Sequence, residues 1–500
     1  MGGGRRMTLE PNYEPRPGLT HRDADWSGLH VLVVGLGVSG FAAADALAER
    51  GAHVTAVSRD VTDVITERGR ILEILGVDVR LGPEHVHTPP EGTELVVTSP
   101  GVPPHDALML AAATAGIPVW GEVELAWRMR AREGAAPWLT VTGTNGKTTT
   151  VGMLASILRA AGLRATAAGN VGTPILEAVL HPEPFDVIAV ELSSFQLHWQ
   201  RSVSAVASAV LNVAPDHLDW HGSYAEYLRA KGRIYDNTHI ACVYNVADLQ
   251  TEQLVMDADV VEGCRAVGFT LGVPAPSMVG IVDDVLADRA FVEQRQHSAA
   301  ELCTLDDLRG DLEAVPPHYV ANALAAAALA RAYGVGPIAV RDGLRAFRPD
   351  RHRIAAVDVP GPVRWVNDSK ATNTHAAAAA LRSFDSVVWI AGGLLKGADV
   401  DGLVQEAASR LRGVVLLGRD RAEIADALAR HAPDVPVIDV AATDTGAMDL
   451  VVAHAARLAQ PGDVVLLAPA AASMDMFDNY GARGDAFEEA VRRHVIGEGA

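Results

Sequence analysis

The chain has 500 residues, 49% hydrophobic and 21% charged, which supplies enough apolar material for about three domains and excludes general disorder. A formal charge of -20 with no Lys/Arg block excludes nucleic acid as a natural partner. No apolar run reaches the roughly 18 residues of a membrane-spanning helix, and three widely spaced cysteines without a CxxC pair fit neither a disulfide framework nor a zinc site, so a protein of the reducing cytoplasm is expected.

Residues 1–26 mix Gly, Arg, Pro and acids without an apolar centre and read as a flexible tail, not as a secretory signal. Residues 30–35 form a short apolar strand, Gly35, Gly37 and Gly40 then open a helix to about residue 50, and 54–57 is a second strand. These glycines match the dinucleotide fingerprint, in which a helix N-terminus receives a diphosphate. NAD is disfavoured, because the second strand ends in Ser58-Arg59, with Asp60 following, and not in a ribose-binding acid. Strands at 95–98 and 118–120 complete a domain over 27–134, and 128–137 reads as a linker.

A second α/β domain, 135–350, starts with a strand at 138–142. The run Gly143-Thr144-Asn145-Gly146-Lys147-Thr148-Thr149 follows it and opens a helix, so its backbone N–H groups can cradle phosphates. Lys147 then meets the β and γ phosphates and the Thr148 hydroxyl ligates magnesium. Val141 stands where the long form of this loop has glycine, so the loop is a shorter variant. The strand 187–190 delivers Glu191 as a second metal-side ligand, with Ser193 just beyond. After the strand 205–213, the run 212–219 clusters Asn212, Asp216, His217 and Asp219, which points to a catalytic or metal role for His217. Residues 283–317 are polar and are expected to be irregular and superficial, and an alanine-rich helix over 319–333 closes the domain.

Of 42 basic residues only Lys147, Lys231, Lys370 and Lys396 are lysine. Arginine has taken over surface duty, which leaves lysine where a compact ammonium or a neutral amine is required. Lys231 falls on the apolar side of a helix with Tyr224, Tyr227, Leu228, Ile234 and Tyr235. It either snorkels to water or holds a desolvated amine with a depressed pKa. The third α/β domain, 351–500, places its polar residues after strands: Asp368, Lys370 and Thr372, then Lys396, then Ser473 near Tyr480. Alternating strands and helices in all three regions imply mainly parallel sheets.

The short loop 143–149, Glu191-Leu192-Ser193-Ser194-Phe195-Gln196, Asp216-His217, the Lys231 helix, 367–373 and 470–484 together resemble the Mur ligase family. The resemblance spans a Rossmann-like N-terminal domain, a central P-loop ATPase-like domain and a C-terminal Rossmann-like domain. The glycine loop and Ser99-Pro100-Gly101 make the first domain most similar to that of the members that add D-glutamate to UDP-N-acetylmuramoyl-L-alanine. The resemblance implies an ATP-dependent ligase of peptidoglycan synthesis, acting as a monomer through an acyl phosphate, with two Mg²⁺ ions and a carbamylated Lys231. It assigns Gly37, Ser39, Arg59, Ser99, Pro100 and Gly101 to the UDP moiety and Asn170 and Ser193 to the rest of that substrate. Asn322, Arg353 and Asp368 join the loop in holding ATP; Glu191, His217 and the modified Lys231 serve the metals. Lys370, Thr372, Lys396, Ser473 and Tyr480 receive D-glutamate.

Overall fold

The computed structural model describes residues 13–170, 172–309, 315–348, 352–442 and 446–497. The chain divides into two compact units at residue 347, with two sheets in the first and one in the second.

In the first sheet His30–Val34 lies between His53–Ser58 and Leu95–Thr98, with Asp78–Leu81 and Val119–Gly121 at the edges, all parallel. Leu32 and Val33 are fully buried although they face opposite sides, as expected of a parallel sheet covered on both faces. Strand order reverses at His30–Val34, so the loop after it opens the crevice where such sheets take ligands. Two glycines there are obligatory. Gly35 has φ +86, and a Cβ on Gly40 would collide with the Gly35 carbonyl oxygen.

Residues 13–26 correct the expectation of a flexible tail: Leu19 and Trp26 are buried, the Tyr13 hydroxyl donates to the Trp199 carbonyl at 3.0 Å and Arg16 pairs with Glu94 at 2.6 Å. Two apolar anchors hold a segment whose composition is otherwise polar. Residues 1–12 of the expected tail lie outside the described residues. Likewise the start of the expected linker 128–137 is the end of the helix Glu122–Arg128, with Arg128 and Met129 buried.

The second sheet has nine strands, and its nucleotide-loop strand Trp138–Thr142 is interior, between Ala207–Val210 and Val187–Glu191. Its far edge overturns the expectation for 283–317. Val285–Asp288 and Ala300–Thr304 pair antiparallel, and Leu286, Leu302, Cys303 and Leu308 are buried. Each strand is too short, and the polar stretch between them too long, for periodicity to register; residues 310–314 lie outside the described residues. The helix after the nucleotide loop, Lys147–Ala160, is wedged by two others. Pro317–Ala332 buries every residue from Ala323 to Ala330, and on Pro337–Ala346 a Cβ at Gly343 would strike the Ile157 backbone. Alanine and glycine there let the helix backbones approach closely.

The third sheet runs Ala355–Ala356, Arg364–Asn367, Val464–Leu467, Val387–Gly392, Leu411–Leu417, Val437–Asp439, parallel except for its first pair. The loops after three adjacent strands therefore meet at one end: Ala470 N donates to the Ala371 carbonyl at 3.0 Å, and Leu394 pairs with Ala472.

Candidate active site

The nucleotide loop is tied to the rest of its domain by side-chain hydrogen bonds. Asn145 N donates to Asn212 Oδ1 at 2.9 Å, while Asn212 Nδ2 returns a bond to the Asn145 carbonyl at 3.1 Å. Thr144 Oγ1 lies 2.9 Å from the Tyr227 hydroxyl. Gly146, at φ +85, caps the helix and has the Asn322 amide so close that a Cβ would overlap its Oδ1. Thr148 and Thr149 lie in the first turn of that helix, where uncompensated N–H groups and the helix dipole favour an anion. Lys147 Nζ donates to the carbonyls of Gly143 at 2.8 Å and Thr144 at 2.9 Å.

Lys231 meets the same carbonyl from the other side. Its side chain is 2% exposed, and Nζ donates to Gly143 O at 2.9 Å and lies 4.8 Å from the Tyr227 ring centre. Burial, then the charge of Lys147, hold its pKa well below the ordinary lysine value, against the opposing pull of Asp216 and Glu191. Of the two readings left open by the sequence, the snorkelling lysine is excluded: this amine is inside. Two ammonium groups on one carbonyl oxygen is an arrangement that a neutral amine or an added anion relieves.

Glu191 ends its strand 2% exposed, and Asn170 Nδ2 donates to its Oε1 at 2.9 Å. His217 stands at φ +54, with Nε2 3.5 Å from Asp216 Oδ2 and its ring centre 4.7 Å from that of Phe195. Neighbouring His221 is different: burial drives its pKa down to about 4, and its Nε2 is 2.9 Å from Ser194 Oγ, so it stays neutral. Ser193 is the N-cap of the helix Ser194–His198. Its hydroxyl accepts from Gln196 N at 3.2 Å and its backbone N donates to Gln196 Oε1 at 2.9 Å, closing a capping box.

Among the described residues no three His, Cys, Asp or Glu side chains converge on a metal position. Magnesium commonly uses only one or two carboxylates and keeps water and phosphate oxygens. The residues present suit that ion: a buried carboxylate at Glu191 and a hydroxyl at Thr148, beside the buried Lys231 amine.

At the first sheet Ser99 Oγ donates to the Gly35 carbonyl at 3.1 Å, Gly37 is the N-cap of Val38–Ala48, and Ser39 is in its first turn. Pro100 and Gly101 follow Ser99 on the same loop. Arg59 pairs with Asp106 at 2.9 Å from an exposed position.

In the second unit Asp368 is buried, accepts from Ile354 N at 3.3 Å, and has a pKa pushed up to about 7 by burial, against the charge of Arg353. Lys370 Nζ sits 3.8 Å from the Tyr480 ring centre. Ser473 is buried, Thr372 half-buried, and Lys396 exposed at φ +55 on the loop after Val387–Gly392. The sequence reading missed the roles of Tyr227 and of Asn212 as the loop's lock. It saw both as members of local patterns, and their partners are 83 and 67 residues away.

Comparison with known proteins aligns these features with one family. The Mur ligase middle domain matches residues 141–330, and the Mur ligase glutamate ligase domain matches 352–471. A UDP-N-acetylmuramoylalanine–D-glutamate ligase of Streptomyces avermitilis is 62% identical over 469 residues, covering 94% of this chain and 99% of that one. The ligase of the same name from Mycolicibacterium smegmatis is 45% identical over 501 residues, covering 94% and 97%. In fold the chain resembles the UDP-N-acetylmuramate–alanine ligase of Thermotoga maritima, with a TM-score of 0.54 at 18% identity, covering 93% of this chain and 99% of that one.

Proposed function

Because the chain belongs to the Mur ligase family, we propose that it joins D-glutamate to UDP-N-acetylmuramoyl-L-alanine using ATP, in peptidoglycan synthesis. The alanyl carboxylate attacks the γ-phosphorus of ATP, ADP leaves, and an acyl phosphate forms. The amine of D-glutamate then attacks the acyl carbon, inorganic phosphate leaves, and one proton is lost from nitrogen. Phosphorylation is needed because a carboxylate is a poor electrophile, and catalysis is mostly positioning and charge stabilisation.

In this reading the loop 143–149 holds the ATP phosphates, with Asn322, Arg353 and Asp368 as further contacts. Gly37, Ser39, Arg59, Ser99, Pro100 and Gly101 take the UDP moiety, Asn170 and Ser193 its sugar side, and Lys370, Thr372, Lys396, Ser473 and Tyr480 D-glutamate. Thr148, Glu191, His217 and Lys231 would hold two Mg²⁺ ions, which supply charge neutralisation at the phosphates. Lys231 would do so as a carbamate: its buried, weakly basic amine can add CO₂, which an arginine cannot. Asn170 orients Glu191, and the paired bonds of Asn212 keep the loop open to phosphate. The protein would work as a monomer in the cytoplasm.

The observation that carries the reading is the buried Lys231 amine on the nucleotide loop, in a chain that matches D-glutamate ligases along nearly its whole length. The test is phosphate release from ATP and Mg²⁺ with UDP-N-acetylmuramoyl-L-alanine, comparing D-glutamate with L-glutamate, D-alanine and meso-diaminopimelate. Release should require both the UDP substrate and D-glutamate. Release with another amino acid would move the specificity to a sister ligase, and release with none would refute the ligase reading.

A further inference from the structure

Two of the three cysteines, 22 positions apart, meet in the central domain: Cys242 Sγ lies 3.7 Å from Cys264 Sγ. Cys242 belongs to the strand Ala241–Asn245, and Cys264 directly precedes Arg265–Phe269, which pairs parallel to it with Ala241 opposite Arg265. The two cysteines are thus two places out of register, which puts both side chains on one face of the sheet. Their exposures differ. Cys242 is buried and Cys264 half-buried in a turn closed by Cys264 N donating to the Val261 carbonyl at 3.0 Å.

We propose that Cys264 and Cys242 form an oxidisable dithiol that a hydroperoxide converts to an intramolecular disulfide. Cys264 is the attacking thiol, because it is the more accessible of the two and because its contact with the Cys242 sulfur holds its pKa below the ordinary thiol value. A thiolate of this kind is the nucleophilic form. Its sulfur takes one peroxide oxygen, the O–O bond breaks, and water or alcohol leaves. The Cys242 sulfur then attacks the sulfenic sulfur, the S–O bond breaks, and a second water leaves. Two thiols give up two electrons and two protons to the peroxide. The sulfur gap must close from 3.7 Å to about 2.05 Å, a movement the turn at 261–264 is placed to make. Cys303 is an internal reference: it is fully buried, and burial pushes its thiol up to about 12.

The test is to treat the full chain with hydrogen peroxide, quench, unfold and alkylate. Alkylatable thiols should fall from the chain's three to Cys303 alone and return to three with dithiothreitol. Trypsin leaves Cys242 and Cys264 together on the peptide 234–265, which contains no internal Lys or Arg. That peptide should lose two hydrogens and no alkylation site should remain on it. Its Met256 can gain oxygen, but dithiothreitol does not reverse that gain. In Cys242→Ser, folded by its unchanged melting transition, the two-hydrogen loss should vanish. Three alkylatable thiols after oxidation, or loss of Cys264 with Cys242 still alkylatable, would overturn the proposal.

Discussion

Lys231 shows how a single substitution separates the roles of charge and chemistry. Lys231→Ala should lower ligand-dependent phosphate release on the order of 10²-fold or more, with partial recovery in added short-chain carboxylate, which can take the place of a carbamate. Lys231→Arg should lose as much and recover nothing, since a guanidinium neither deprotonates nor leaves room. Loss without recovery in a folded Lys231→Ala that still binds ATP would count against the carbamate. Asp368 makes a prediction in pH. Burial raises its folded-state pKa to about 7 from an ordinary value of about 4, so between those values the folded state keeps a proton the unfolded chain has released. Stability therefore falls as pH rises through that window. Asp368→Asn removes the slope, and its melting temperature relative to the parent should rise from pH 5 to pH 8; a pH-independent difference would show the carboxyl to be ionised throughout. The position of Lys231 on an apolar helix face was legible in the sequence, but its burial was not, because the Gly143 carbonyl that receives it is 88 residues away.

Among elements, the glycine-punctuated loops were read correctly because strand, turn and helix start are local and each glycine answers to a local demand. Gly146→Ala is the matching prediction: φ +85 and the Asn322 side chain leave no place for a methyl group, so ATP affinity in a binding titration should fall by at least about tenfold, while affinity for UDP-N-acetylmuramoyl-L-alanine is unchanged. Equal loss of both would mean the domain had unfolded. The antiparallel edge at 285–304 was illegible for the opposite reason. Its residues are short β segments completed by pairing with one another and with Met278–Val282, and nothing within either segment announces the partner. The tail failed similarly, since Leu19 and Trp26 are isolated apolar residues whose burial depends on the body they dock to.

Over the first unit as a whole, the helix Glu122–Arg128 joins the two sheets' regions through one buried carboxylate. Glu124 is fully buried and takes Arg128 Nε at 2.6 Å, Arg201 N at 2.8 Å and Ser202 N at 2.9 Å. Glu124→Ala takes the acceptor from the Arg201 and Ser202 N–H groups and leaves Arg128 with Glu14, the Leu19 carbonyl and Ser202 Oγ; it should cost about 1–3 kcal/mol, read as a lower melting temperature, whereas an unchanged melting temperature would show that the clasp is dispensable. Alternating strands and helices were legible in the patterning; the closure of this clasp was not, because Arg201 and Ser202 lie more than 70 positions from Glu124.

The wall of the nucleotide loop is itself assembled late. Its strand and turn are complete by residue 149, yet Asn212 locks it and Asn322 closes over Gly146. A ribosome must therefore translate well over a hundred further codons before the loop has its final shape. A nascent chain carries the ATP motif early and acquires the site only when the helix Pro317–Ala332 has emerged from the exit tunnel, so unfinished chains of this protein have little means of consuming nucleotide.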